Sequence, residues 1–361
     1  MTANNTPLFP LSSDVVLAHS RNSGVYSSRP LSGYTPSMLR TAYRATGSYT
    51  GKGMKISVIC ALDNEAIRES LDIFCKEFSL PSASISVHYP DGRADSTDDM
   101  WLTESSLDTQ WAHAFAPDAD LSVVFSKDTA LYSLLSSAEY ASDTLGADII
   151  LMCFGKQESA DLSSQNDFFG SKNSIFIASS GDEGGAVFYP SSSPDVISVG
   201  GTRLTLSQNT GAVINEVAWQ NSGAGPSAVF PLSYGQRNFD GISALSGGNR
   251  ATPDLSLCAS ETPGCACYVS ALGGWTTVSG TSLSAACFAG ICACIKERHP
   301  EIVTTRHLSE FLYEKAGKNA YSSPQYNYHD IIFGKSGRYS AFIGWDFATG
   351  LGSPVIRQLL T

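Results

Sequence analysis

Residues 149–154 read Ile-Ile-Leu-Met-Cys-Phe, an apolar run with no polar alternation. A strand with one wet face alternates, whereas a strand covered on both faces does not, so this run predicts a central strand of a parallel sheet. Similar strand-like runs lie outward from it, at 55–60, 84–89, 120–126, 148–154, 174–179 and 195–199. Helical periodicity falls between several of them, at 64–78, 103–114, 128–142 and 160–169. Strands separated by amphipathic helices predict an α/β fold, doubly wound, with a mainly parallel sheet flanked by helices. Residues 204–277 are rich in Gly, Ser and Pro and read as irregular; helices are expected again at 282–297 and 307–316. No internal repeat interrupts this pattern. Residues 1–33, rich in Ser, Asn and Pro and without periodicity, read as an N-terminal extension or leftover linker, and 34–361 as one large domain.

The 361 residues hold 23 Lys and Arg against 34 Asp and Glu, a net charge of −11, with 16% charged and 42% hydrophobic residues. That length suffices for a large core, and the low charge excludes a disordered chain. The acidic balance argues against nucleic acid and anionic membranes, which need a basic face. It is compatible with work at low pH. The N-terminus lacks the basic start and apolar stretch of a secretory signal. The longest apolar run, 285–295, is too short to span a bilayer and predicts a buried helix. No membrane partner is therefore expected, and the chain is expected to be a monomer. Nine cysteines lie mostly within apolar patterns, where they behave as small hydrophobes. C-x-x-C spacing is absent, so no zinc site is expected. Cys258 with Cys265 or Cys267 lies in an expected loop and could close one disulfide.

Four segments carry possible chemistry. Ser282 sits in SGTSLSA (279–285), at or near the start of the 282–297 helix, where a hydroxyl is exposed and backbone N–H groups are free. A plain N-cap explains that serine equally well. Glu104 and Asp108 are neighbours at i,i+4 on a predicted helix, a like-charge pair that costs about a few tenths of a kcal/mol on a bare helix. Buried together they would share a proton and could act as a base with its supporting acid; a solvated helix face is the alternative. Asp182, in IFIASSGDEGG (175–185), follows a buried strand at the sheet edge where ligands bind in such folds, although a turn also suits it. Asp330 and Asp346 flank a glycine-containing, oxygen-rich loop that could wrap a hard cation such as Ca²⁺, without the spacing of an EF-hand. The six histidines, His19, His88, His113, His299, His307 and His329, all lack the context of a serine-hydrolase histidine. GTSLS also lacks the second glycine of G-x-S-x-G. Carboxylates are the better-placed partners for Ser282.

Taken in order, YTPSMLRTAY (34–43), ESSLDTQW (104–111), SSGDEGG (179–185), PSSSPDVISVGGT (190–202), EVAW (216–219), ATPDLS (251–256), SGTSLSA (279–285) and GWDFATGLGSP (344–354) resemble the sedolisin family, the serine-carboxyl peptidases. The resemblance implies a subtilisin-like fold without the subtilisin histidine. It implies Ser282 as nucleophile, Glu104 as general base, Asp108 as its support and a protonated Asp182 as oxyanion donor. It further implies a Ca²⁺ site from the side chains of Asp330 and Asp346 and the main-chain oxygens of Ile331, Phe342 and Gly344. The implied activity is hydrolysis of peptide or protein substrates in acid, by an endopeptidase or a tripeptidyl peptidase. Three positions depart from the family's pattern: Cys60 stands where many members have glutamate, Phe154 where tryptophan is common, and Ala286 where proline is usual. The match begins at Tyr34, so either the family's large prodomain has been removed, leaving 1–33, or the chain folds without one. Two other classes remain distinct: a peptide-binding pseudoenzyme of the same fold, and a Ser–His–Asp esterase.

Overall fold

The computed structural model describes residues 16–17, 21–22, 24–30, 33–45, 47–165, 167–207, 210–317 and 326–361. The expected alternation forms an eight-stranded sheet: β1 (Lys55–Ala61), β2 (Ser84–His88), β3 (Asp120–Ser126), β4 (Ile149–Met152), β5 (Ile175–Ser179), β6 (Ile197–Leu206), β7 (Val213–Ala218) and β8 (Leu255–Cys258). The order is β7-β6-β5-β4-β1-β3-β2, with β8 also paired to β6. All pairs are parallel except β6 with β7. Every residue of β4 is buried, as its unbroken apolar run demands. The longer helices are α1 (Ile67–Glu77), α2 (Asp99–Phe115), α3 (Leu131–Asp143), α4 (Thr281–Arg298) and α5 (Thr305–Gly317). The 285–295 run lies inside α4, where every residue from Thr281 to Lys296 is buried. No helix among the described residues is long and apolar enough to cross a membrane.

Three local expectations are corrected. The helix expected at 160–169 is a 3-10 segment, Ala160–Gln165, with a single turn at Asp167–Gly170. The stretch 204–277 holds β7, β8 and further strands, among them Cys265–Val269 and Gly274–Ser279. Their Gly and Pro break the local pattern, and pairing with distant segments supplies the strand geometry. Val199 pairs with both Ser179 and Leu255, so β8 inserts on the edge of β6 opposite β5. Asp254 secures it, accepting from Ser198 N at 2.8 Å and from the Arg250 guanidinium at 2.5 and 2.9 Å. Finally, Cys258 ends β8 and Cys265 and Cys267 lie on a strand rather than in a loop; all nine cysteines are buried free thiols.

The two central helices touch backbone to backbone. A Cβ at Gly290 of α4 would lie 2.5 Å from Ala112 O and 2.7 Å from Phe115 Cβ of α2. Gly290 is the third of a row spaced by four, 282-286-290, and Ala112 the third of 104-108-112, so this contact sets how the two rows meet. Gly290→Ala should destabilise the chain by about 1–3 kcal/mol through overpacking. A chemical denaturation midpoint equal to that of the parent would show that the helices can separate freely.

Candidate active site

α2 begins at Asp99, four residues before the expected start, because Asp98 caps it by accepting from Met100 N at 2.9 Å and Trp101 N at 3.2 Å. Every residue from Trp101 to Phe115 is buried. Gln110 holds the helix to strand Cys265–Val269 by donating to Tyr268 O at 2.7 Å and accepting from Tyr268 N at 3.0 Å. Glu104 and Asp108 are therefore not a solvated face; both are 0% exposed. Burial, then the neighbouring charge of Glu104, holds the Asp108 carboxyl well above the usual carboxylate range. A pair so placed holds a shared proton rather than two charges.

Ser282 is the second residue of α4, and Gly280 occupies the cap position with φ 113°, a conformation that favours glycine. Ser282 is thus not the N-cap, and its expected exposure is corrected: it too is 0% exposed. Cys153, just past the end of β4, links the two helices. Its thiol donates to Ser282 O at 3.7 Å, and its sulfur lies within 4.8 Å of carboxylate oxygens of both Glu104 and Asp108.

Asp182 lies three residues past β5, at the expected sheet edge, and is 4% exposed. Its Oδ1 accepts from Thr281 N at 2.9 Å and Thr281 Oγ1 at 2.8 Å, and Thr281 Oγ1 accepts from Gly181 N at 3.1 Å. These contacts fix the carboxyl against the N-terminus of α4, beside Ser282, instead of within its own turn.

At the rim of this site, Val16–Leu17 pairs antiparallel with strand Phe154–Gln157, and Arg21–Asn22 pairs antiparallel with the Ser279 end of strand Gly274–Ser279. The described histidines bond elsewhere: His88 with Ser86, His113 with Pro81 O, His299 with Glu301, His307 with Val303 N and His329 with Glu216. His19 lies outside the described residues.

The loop 330–346 is remote in sequence from the dyad and has its own anchoring. Asp346 is buried; its Oδ2 accepts from Phe342 N at 2.8 Å, and its Oδ1 from Ala348 N and Thr349 N, both at 2.9 Å. Burial pushes its carboxyl up to about 7. Asp330 Oδ2 accepts from Gly344 N at 3.0 Å, and burial raises it too. Among the described residues, no hydrogen bond reaches the carbonyl oxygens of Ile331, Phe342 or Gly344. Two carboxylates and three carbonyls without donors are all oxygen donors of the kind a hard cation takes.

Sequence inspection did not single out the clamp on this loop. Buried Glu216 accepts from Thr202 Oγ1 at 2.6 Å, Ser353 Oγ at 2.7 Å and Tyr43 OH at 3.1 Å, and pairs with His329 Nδ1 at 3.3 Å. It thus ties both ends of the loop to β6. Cys153 and Thr281 were also missed as site residues. The position of Cys153 after a central parallel strand was the available signal, since ligands gather at that edge.

The subtilase family model matches residues 103–352. The chain is 28% identical over 366 residues to kumamolisin of Bacillus sp. (strain MN-32), covering 91% of this chain and 63% of that protein. It is 27% identical over 368 residues to sedolisin of Pseudomonas sp. (strain 101), covering 91% and 60%. The chain therefore spans less than two thirds of the length of these curated relatives. Among solved structures, Pseudomonas sedolisin, a serine-carboxyl proteinase complexed with two molecules of pseudo-iodotyrostatin, matches with a TM-score of 0.79 at 25% identity over 93% of this chain and 98% of that one. Fervidolysin of Fervidobacterium pennivorans matches in fold with a TM-score of 0.56 at 13% identity, over 96% and 51%.

Proposed function

The chain belongs to the subtilase family, on its sedolisin side, and from that premise we propose that it is a serine-carboxyl peptidase cleaving peptide or protein substrates in acid. The observation that carries this is the joint burial of Glu104 and Asp108 on the helix packed against the one presenting Ser282. Glu104 takes the Ser282 proton as Oγ attacks the peptide carbonyl. Asp108 shares the proton that the pair carries and keeps Glu104 ready to accept. The developing oxyanion is met by Asp182, protonated, which donates to it; an ionised Asp182 would repel it. With Thr281 donating twice to Oδ1, that proton belongs on Oδ2. Protonated Glu104 then hands its proton to the leaving amine, and water resolves the acyl-enzyme by the same steps in reverse.

The strand Phe154–Gln157 offers a place for the substrate. It already takes Val16–Leu17 as an antiparallel neighbour, and a substrate binds there by the same strand addition. Val16–Leu17 occupies the edge that the substrate would take, so the two compete for strand Phe154–Gln157.

Peptide hydrolysis measured from about pH 3 to about pH 8, with and without a peptide-aldehyde inhibitor, tests this proposal. An inhibitable acidic maximum supports it; absence of cleavage throughout would leave a peptide-binding pseudoenzyme. Asp182→Asn keeps a donor that needs no added proton but alters its geometry. It should lower kcat by roughly 10²- to 10³-fold and flatten the fall of activity toward neutral pH. Parent-like kcat in that variant would remove Asp182 from the oxyanion site.

Asp330 and Asp346, with the main-chain oxygens of Ile331, Phe342 and Gly344, would hold Ca²⁺, whose charge would pin this loop against the sheet. The Asp346 pKa is raised on folding, so its favourable contribution is full below the unfolded value of about 3.9 and is lost as pH rises through about 7. Without Ca²⁺, Tm should therefore fall over that window, and added Ca²⁺ should restore it. Asp346→Asn should abolish both effects, as scanning calorimetry would show. An identical Ca²⁺ response in the variant would place the ion elsewhere.

A further inference from the structure

The carboxylate pair is surrounded by sulfur. Cys153 Sγ, Glu104 and Asp108 offer three ligand atoms within 4.8 Å of one another, all buried. Neither buried Asp108 oxygen has a hydrogen bond of full geometry; the nearby Cys153 thiol bears on Asp108 and donates to Ser282 O. A buried carboxyl set against a second carboxyl and a thiol, and tied to no fixed N–H donor, can serve as a metal ligand once the protons of the cluster leave. Two more buried thiols lie outside that ligand group but within electrostatic reach of it: Cys60 on β1 and Cys267 on the strand beside α2 are each pushed up by burial and by both carboxylates. The four segments that supply these groups are far apart in sequence, which is why C-x-x-C spacing predicted no zinc site.

We propose that Glu104, Asp108 and Cys153 form a binding site for a thiophilic divalent cation such as Zn²⁺. Mixed thiolate and carboxylate donors suit a borderline-soft ion and disfavour Ca²⁺ or Mg²⁺. The balance of charge is favourable. A dyad with one proton and a neutral Cys153 thiol carries −1; binding one dication and releasing both protons leaves it at −1. The buried cluster exchanges two protons for one metal ion with no added net charge to desolvate. Occupancy removes the base from Ser282, so the ion is a reversible inhibitor. That consequence rests on the peptidase proposal, whereas the binding itself does not.

The test titrates Zn²⁺ alone into the Ser282→Ala chain by calorimetry, and Co²⁺ with absorption spectroscopy. Expected are one equivalent bound and a thiolate-to-cobalt charge-transfer band. Cys153→Ser should abolish the band and weaken Zn²⁺ binding at least about 10-fold. Glu104→Gln, which leaves the β4 end untouched, should weaken binding similarly, and Cys265→Ser should preserve both signals. In the parent chain, Zn²⁺ should inhibit peptide hydrolysis at concentrations that leave Cys153→Ser active relative to its own metal-free rate. Equal Zn²⁺ affinity in parent and Cys153→Ser, or no binding, overturns the proposal even if peptides are cleaved. Binding lost in both ligand variants supports it even if no peptide is cleaved, a result that would instead sink the peptidase proposal.

Discussion

Ser282→Ala should abolish nearly all peptide hydrolysis, lowering kcat/KM by at least about 10⁴-fold. The size of the effect follows from chemistry. Without Oγ no acyl-enzyme forms, and the remaining groups can only assist attack by water. Ser282 is fully buried on the well-packed helix α4, and exchanging its hydroxyl for hydrogen creates little void, so folding should persist. Active-site titration with a peptide aldehyde, which needs the hydroxyl to form its adduct, provides an independent check. A variant that retains more than about a hundredth of the parent rate would place the nucleophile elsewhere.

Glu104→Gln is the second large effect, with kcat lowered by about 10³- to 10⁴-fold. Glutamine matches glutamate in shape but cannot take the Ser282 proton. It also removes one of the two titratable carboxyls of the buried pair, so Asp108, raised first by burial, loses the added repulsion of an ionised Glu104. Activity and stability should therefore move in opposite directions: hydrolysis collapses while the loss of Tm with rising pH becomes shallower. Activity within tenfold of the parent would show that another group is the base. Loss of activity with collapse of Tm would show that the effect is structural.

The fold was legible where periodicity is local. The strand runs at 55–60, 120–126 and 174–179 needed only their own apolar pattern, and they appear as β1, β3 and β5 within a residue of those bounds. The stretch 204–277 was not legible, since β8 becomes a strand only because Leu255 and its neighbours pair with Val199 to Thr202 of β6. The 160–169 segment failed differently: its pattern suited a helix, but the chain forms a 3-10 turn and one α-turn.

The site divides along the same line. Sequence by itself determined that Glu104 and Asp108 share a helix face, that Ser282 begins a helix and that Asp182 follows a buried strand, because each statement depends on spacing within about one turn of chain. Whether the acid pair was wet or dry lay outside its reach. Burial is set by what packs against a helix, here α4 with Gly290 against Ala112, and β1 and strand Cys265–Val269 around it. Only the tertiary structure turned Asp182 toward Thr281, gathered Cys60, Cys153 and Cys267 about the dyad, and closed Glu216 on both ends of the 330–346 loop. Those contacts join residues up to about 200 positions apart, and a carboxylate's protonation depends on such neighbours more than on its own place in the chain.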